Sequence, residues 1–309
     1  MNLKEIKRHP VVCFGETLWD LLPSGKLAGG APMNVAYHLQ KMGKDPAMIS
    51  RIGNDDLGKE LIEVLHAKNI CTDFIQVDQT KPTSVVQAEI GINKDVLYTI
   101  VEDVAWDHIE WQDTLSALVK EADYFVFGSL AARSRQTFET LSKLLPLAKN
   151  KVLDINLRPP FYDREKIEWL LVQATLLKLN LEELTLITRW YTDLYSTEEQ
   201  VKFLQDKFHL DTMIVTMGAK GALISDGEGI YSCPGIAVRV EDTIGSGDSF
   251  LAAVISKIMD GASIKETLDY ANQLAAYVTT QKGACPDYYI TSKGFITEII
   301  QNEPALTPQ

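Results

Sequence analysis

The residues best suited to chemistry lie in one short run, Asp242-Thr243-Ile244-Gly245-Ser246-Gly247-Asp248-Ser249-Phe250, followed by an apolar helical stretch over 251–258. Glycines just before a helix let the backbone turn so that successive N–H groups point outward. Together with the helix dipole those groups make a site for an anion. Asp248 is the unusual member, a carboxylate among donors meant for an anion. Two readings stay open. It is an ordinary first-turn acid stabilised by the dipole, or it is a general base that takes the proton of a substrate hydroxyl as a phosphoryl group arrives. No GxxxxGK[ST] run occurs in the chain, so this is not a Walker A loop.

Such a run needs a framework that ends a helix start where a substrate can reach it. Short apolar runs at 11–14, 47–52, 124–127, 152–155, 176–179 and 213–216 read as buried strands. Between them, 34–42, 57–67 and 135–148 read as helices, the first with Val35, Leu39 and Met42 on one face and Gly43 as its stop. This alternation predicts an α/β fold: a mostly parallel sheet covered by helices on both faces. Two regions break the rhythm. Residues 84–100 read as two strands around the Asn93-Lys94-Asp95 turn, and 18–27 is extended with a turn at Pro23-Ser24-Gly25. They predict a small second sheet, formed by about 18–30 and 84–102, which is either a water-excluding lid or a surface hairpin without a role. With no repeat, linker or low-complexity tract, residues 1–309 read as one domain whose tail after Asn302 is frayed.

The chain of 309 residues carries 42 acidic and 30 basic side chains, a formal net charge of −12. That balance argues against nucleic acid or an anionic membrane as partner, while leaving room for a locally positive pocket. Cys13, Cys71, Cys233 and Cys285 are scattered, and no CxxC or HExxH spacing exists, which argues against a zinc site or a disulfide framework. Scattered thiols fit a reducing compartment. Residues 1–9 are polar, unlike a signal peptide, and no apolar run approaches the ~20 residues of a membrane span. The expected location is cytoplasmic.

The DT-x-GSGD run resembles the C-terminal motif of the ribokinase-like (PfkB) carbohydrate kinases, usually written DTxGAGD, with Ser246 in place of the alanine. The resemblance extends over nearly the whole chain and implies a three-layer α/β/α kinase domain with a β-sheet lid. It assigns the N–H groups of Gly245, Ser246 and Gly247 to the phosphoryl group in transit and Asp248 to the base. Gly29-Gly30-Ala31-Pro32-Met33-Asn34 is similar to the family's GGxxxN element, which implies that Gly29 and Gly30 admit a sugar and that Asn34 bonds its hydroxyls; the residues alone also allow Asn34 as a helix N-cap. Asp20, in Gly15-Glu16-Thr17-Leu18-Trp19-Asp20, matches the family's sugar-binding aspartate. The run 53–58 fits a GxDxxG turn, read as structural.

Further along, Asp154-Ile155-Asn156-Leu157-Arg158-Pro159 resembles a D-x-N-x-R-P element whose arginine, here Arg158, would clamp phosphate or sugar. Asn180-Leu181-Glu182-Glu183 matches the NxxE element, implying Asn180 at the nucleotide and Glu183 at magnesium, through water; unaided, the pair reads as a helix cap. Thr216, Gly218 and Gly221 match a TxGxxG nucleotide loop, and Asn272 falls in the region that lines the adenine pocket. Some members bind a monovalent cation through carbonyls, here those of Asp242 and Ile244. The implied cosubstrate and ions are therefore ATP, Mg2+ and, in some members, K+.

Residues 98–107, YTIVEDVAWD, resemble the ENVAWD-like stretch of bacterial fructokinases, and 128–134 looks similar to them also. Ketodeoxygluconate kinases often carry an arginine in this stretch for the substrate carboxylate, and no arginine lies between Arg51 and Arg133. The resemblance thus implies a neutral sugar, fructose converted to fructose 6-phosphate. Trp106 either packs on the sugar or anchors the lid in the core. The alternatives are a ketodeoxygluconate, ribose or nucleoside kinase, and a non-catalytic sugar sensor on the same fold. A nicotinamide enzyme would need GxGxxG after the first strand, which Gly15-Glu16-Thr17 does not provide. An exposed lid edge would let two copies pair as a homodimer.

Overall fold

The computed structural model describes residues 7–22, 25–90, 96–290 and 296–298. In strand β1 (Val11–Phe14), Val12 and Phe14 join one hydrophobic core while Val11 and Cys13 join another. That period of two, with both faces buried, is what a strand between two helical layers requires. Beside β1 lie β4 (Ala47–Gly53) and β5 (Ile75–Asp78) on one side. On the other side follow β8 (Tyr124–Gly128), β9 (Asn150–Asp154), β10 (Leu176–Asn180) and β11 (Thr212–Thr216). The pairs from β5 to β11 are parallel, and β12 (Ala222–Ser225) and β13 (Ile230–Cys233) extend the sheet antiparallel. The chain winds outward from β1 in both directions, so the strand order reverses there. In open α/β sheets the crevice beyond such a switch point is where ligands bind.

Helices α3 (Asp113–Glu121), α4 (Arg135–Leu144), α5 (Arg164–Gln173), α6 (Leu181–Thr188) and α7 (Thr197–Phe208) contribute the helical side of the first core. Helices α1 (Ala31–Lys41), α2 (Asp56–Ala67), α8 (Ser246–Met259) and α9 (Ile264–Thr279) cover the other face. The expected three-layer α/β/α arrangement is therefore present. Boundaries moved where proline acts. Helix α1 begins at Ala31 because Pro32 suits a first turn, three residues before the expected start. Helix α4 gives way to a 3-10 turn, Leu145–Leu147, because Pro146 supplies no N–H for another α-helical bond.

A separate four-stranded sheet runs in the order β3-β2-β6-β7, from β2 (Leu18–Leu22), β3 (Gly25–Gly29), β6 (Val85–Ile90) and β7 (Val96–Ile100). Its strands match the two regions that broke the α/β rhythm. The Asn93-Lys94-Asp95 turn, most of the Pro23-Ser24-Gly25 turn, the first six residues and the tail after Asn302 lie outside the described residues. Trp19 fixes the sheet to the main body: it packs with Ile52 and Leu61, and its Nε1 donates to Leu57 O at 2.9 Å. The 53–58 turn is structural, as expected: Asp55 accepts from Gly58 N, Thr83 N and Thr83 Oγ1.

Candidate active site

Gly245 adopts φ +76, and a Cβ there would lie 2.5 Å from Ala284, so only glycine makes this turn into α8. The N–H groups of Gly245 and Gly247 make no hydrogen bond among the described residues, and that of Ser246 makes only a long one, 3.4 Å to Thr243 O. Donors are thus available where the dipole of α8 favours an anion.

Asp248 sits in the first turn of the same helix, 9% exposed. Its Oδ2 accepts from Asn34 Nδ2 at 2.7 Å, while its Oδ1 accepts no hydrogen bond among the described residues. Burial, and then the neighbouring Asp154, push its pKa up to about 6 against the opposing pull of Lys178, the Asn34 bond and Arg158. Asn34 is not an N-cap, because α1 starts at Ala31; it lies inside the helix, and its Oδ1 accepts from Cys285 Sγ at 3.3 Å. Its amide is thereby oriented with the N–H toward Asp248.

Asp20, on β2, feels the same charges. Burial and then Asp242 raise its pKa to about 6, with Asp248 adding to the rise and Arg158 opposing it. Gly29 makes room for it: a Cβ there would lie 2.4 Å from Asp20 Oδ2. At Gly30, which has φ +113, a Cβ would lie 2.4 Å from Glu16 O. Arg158 is exposed and forms no salt bridge among the described residues; its Nη1 makes a long 3.5 Å contact to Leu157 O. The structure therefore gathers Asp20, Gly29, Gly30, Asn34, Arg158 and the 245–248 run at one end of the sheet.

Asn180 and Glu183 form a reciprocal cap at the start of α6. Asn180 Oδ1 accepts from Glu183 N at 2.9 Å and Glu183 Oε2 from Asn180 N at 2.8 Å. Glu183 Oε1 accepts in addition from Leu157 N at 2.8 Å, tying the cap to the loop that carries Arg158. With both oxygens engaged and the residue 7% exposed, Glu183 fits a magnesium ion only through water, and no group of three or more His, Cys, Asp or Glu among the described residues could hold a metal. Asp242 links two turns, accepting from Ile244 N at 3.0 Å and from Gly283 N at 3.1 Å. The 242–244 turn and residue 283 are thereby tied together.

Thr216 ends β11, and a tight turn over Gly218–Lys220 follows. Gly218 has φ +57; Gly221 has φ +100 and lies so close to Cys233 O that a Cβ would approach it to 2.0 Å. Asn272 Nδ2 donates to Pro234 O at 2.7 Å, so α9 fastens the chain that packs on this turn.

Trp106 corrects one expectation. It is fully buried and packs with Val104 and Leu130, so it anchors the core instead of facing a sugar. Arg133 stacks 3.9 Å over its ring and forms a two-pronged bond to Asp107, 2.7 Å on each arm. Arg133, Asp107 and Phe161 line a cavity of 920 Å3 that contains none of the residues predicted for the site.

Two residues were missed. Lys178, in the apolar run Leu176-Leu177-Lys178-Leu179, is 6% exposed and paired with Asp154 at 3.0 Å. A lone charge inside a strand that is otherwise apolar was the signal. Burial opposes its charge, but Asp154, Asp248 and Glu183 outweigh burial and hold its pKa above the ordinary value. Glu16 is 3% exposed; its Oε1 accepts from Ala31 N at 3.2 Å and its Oε2 has no partner among the described residues. Burial raises its pKa to about 7. No feature of the sequence set it apart from a loop acid.

The fold, with its large mostly parallel sheet and small separate one, is ribokinase-like. The chain belongs to the PfkB family of carbohydrate kinases, whose model matches residues 23–289, and it is accordingly an ATP-dependent sugar kinase. It is 31% identical over 297 residues to an uncharacterized sugar kinase of Pyrococcus horikoshii, across 89% of this chain and 91% of that one. The crystal structure of that kinase in complex with ATP matches with a TM-score of 0.74 at 26% identity, covering 89% and 94% of the two chains. A fructokinase of Solanum tuberosum is 27% identical over 300 residues, across 89% of this chain and 91% of its own. The fructokinase of Vibrio cholerae, solved with fructose, ADP and calcium, shares the fold at a TM-score of 0.75 and 24% identity, covering 89% and 94%.

Proposed function

We propose that this sugar kinase transfers the terminal phosphoryl group of ATP to a primary hydroxyl of a neutral sugar, fructose giving fructose 6-phosphate. The observation that carries the reading is Asp248, buried beside the free N–H groups of α8 with one carboxylate oxygen bonded to Asn34 and the other open. The open oxygen receives the proton of the attacking hydroxyl, and the N–H groups of Gly245, Ser246 and Gly247 stabilise charge on the phosphoryl oxygens. Asp20 and Asn34 hold the sugar, Gly29 and Gly30 let it approach, and Arg158 clamps sugar or phosphate. The nucleotide lies along Thr216, Gly218 and Gly221, with Asn180 and Asn272 beside it. Glu183 would hold a magnesium ion through water, and that ion would supply positive charge against the phosphates. A potassium ion would sit on the carbonyls of Asp242 and Ile244. The small sheet closes over the sugar as a lid, and its edge strand β3, exposed over 25–27, offers itself to a second copy; sedimentation showing only monomer at working concentration would remove the dimer.

Fructose is supported by relatives that bear the fructokinase name and by Arg133, whose charge is spent on Asp107 and is not offered to a substrate carboxylate. Arg158, without a carboxylate partner, favours a sugar acid as the second reading. The test is ATP consumption with magnesium and potassium against fructose, ribose, ketodeoxygluconate, fructose 1-phosphate and adenosine. Fructose should give the highest kcat/KM; a higher value for ketodeoxygluconate would assign Arg158 to its carboxylate and overturn the fructose reading.

A further inference from the structure

Lys178 lies on β10 directly opposite Asp154 of β9, and its Nζ is 3.0 Å from each of that carboxylate's oxygens. Its neighbours Leu177 and Leu179 point into the core on the far face, so Lys178 points toward α8. There it meets Gly247: a Cβ on that residue would stand 2.9 Å from Nζ. Gly247 is helical and needs no glycine for its backbone. A side chain at this position would press on the ammonium and make it shift.

This location is electrostatically odd. A lysine buried at the N-terminus of a helix faces the positive end of the dipole, where cations are disfavoured. A buried ion pair is also weak evidence for stability, since apolar residues of similar volume often serve as well. An ammonium carries three N–H groups, and the only hydrogen-bond acceptors given to this one among the described residues are the two oxygens of Asp154. A cation, a helix N-terminus and unused N–H donors gathered at one point form a site that becomes favourable when an anion arrives.

We propose that Lys178 is a catalytic residue that contacts the phosphoryl group in transit, an inference that rests on the reading of the 245–248 run as the phosphoryl site. In the step it assists, the sugar oxygen bonds to the terminal phosphorus of ATP and the bond from that phosphorus to the bridging oxygen breaks. ADP leaves with the electron pair, and the hydroxyl proton goes to Asp248. Lys178 remains an ammonium throughout and neutralises charge spread over the phosphoryl oxygens. Asp154 holds the ammonium in place and offsets the cost of burying it.

The test compares the parent with Lys178→Met/Asp154→Asn, a double variant that leaves no unpaired buried charge, using whichever sugar the parent turns over fastest. The expected result is a parent-like Tm, kcat lowered at least a hundredfold (the loss of one oxyanion donor is typically 10²–10³) and a sugar KM within about twofold of the parent. A double variant with kcat within fivefold of the parent overturns the proposal. Gly247→Ala is the second test, since it displaces the ammonium without removing a charge. It should lower kcat at least tenfold, and parent-like turnover counts against the contact. Because any sugar serves, failure of the fructose reading leaves this test intact. Asp248→Asn measured alongside separates a failure of the base from a failure of Lys178.

Discussion

Replacing Asp248 with asparagine should remove turnover and stabilise the fold together, and the second effect depends on pH. Burial and then Asp154 disfavour the charge of this carboxyl and push its pKa up to about 6 from the ordinary 3.8. The sign follows from linkage. A carboxyl whose folded pKa is raised adds stability that is fully present below about 3.8 and lost as the pH rises through about 6. Above that, the folded protein carries the ionised group at a cost of about 3 kcal/mol, taking about 1.4 kcal/mol for each pH unit between the two values. Asparagine never ionises, so at pH 8 the variant is spared that cost, and at pH 5 it is spared about half of it. Its side-chain oxygen still accepts from Asn34, so the local geometry survives. For a chain of this size the gain at pH 8 is a Tm rise of about 5 °C, and kcat should fall at least ~10²-fold with the loss of the base. Calorimetric melts at both pH values and steady-state kinetics check this. A Tm below the parent at pH 8 would refute the electrostatic reasoning, and kcat within tenfold of the parent would take Asp248 out of the base role.

Gly221→Ala places a Cβ against Cys233 O in a residue held at φ +100. It should cost about 2 kcal/mol in a denaturant titration and raise the KM for ATP at least tenfold while leaving the sugar KM unchanged; an unaltered ATP KM would separate this turn from the nucleotide. Asp107→Asn leaves the Arg133 guanidinium buried without its carboxylate. A stability loss of about 3–5 kcal/mol is expected, read from the same titration, and a loss under 1 kcal/mol would show that the pair does not hold the Trp106 cluster together.

What the sequence made legible is local. The apolar alternation of β1 places it between two helical layers, and the turn chemistry before α8 announces an anion site, because both depend on residues within one or two turns of each other. What it hid is long-range. Asn34 reads as a cap until the fold brings Asp248, 214 residues away, to its amide. Lys178 is an isolated charge in a strand until Asp154, 24 residues earlier, becomes its neighbour across the sheet. Trp106 reads equally well as a sugar contact or a core residue until Arg133 closes over it. The glycines carry a trace of these hidden partners. Gly221 and Gly245 are explained by their own positive φ, whereas Gly29 and Gly247 are not. The first clears space for Asp20 and the second for Lys178, so each records a charged side chain arriving from a different strand. In an anion-binding turn, a glycine that the backbone does not require therefore asks what else must fit beside it, and here the answer is an ammonium aimed at the site where phosphate would lie.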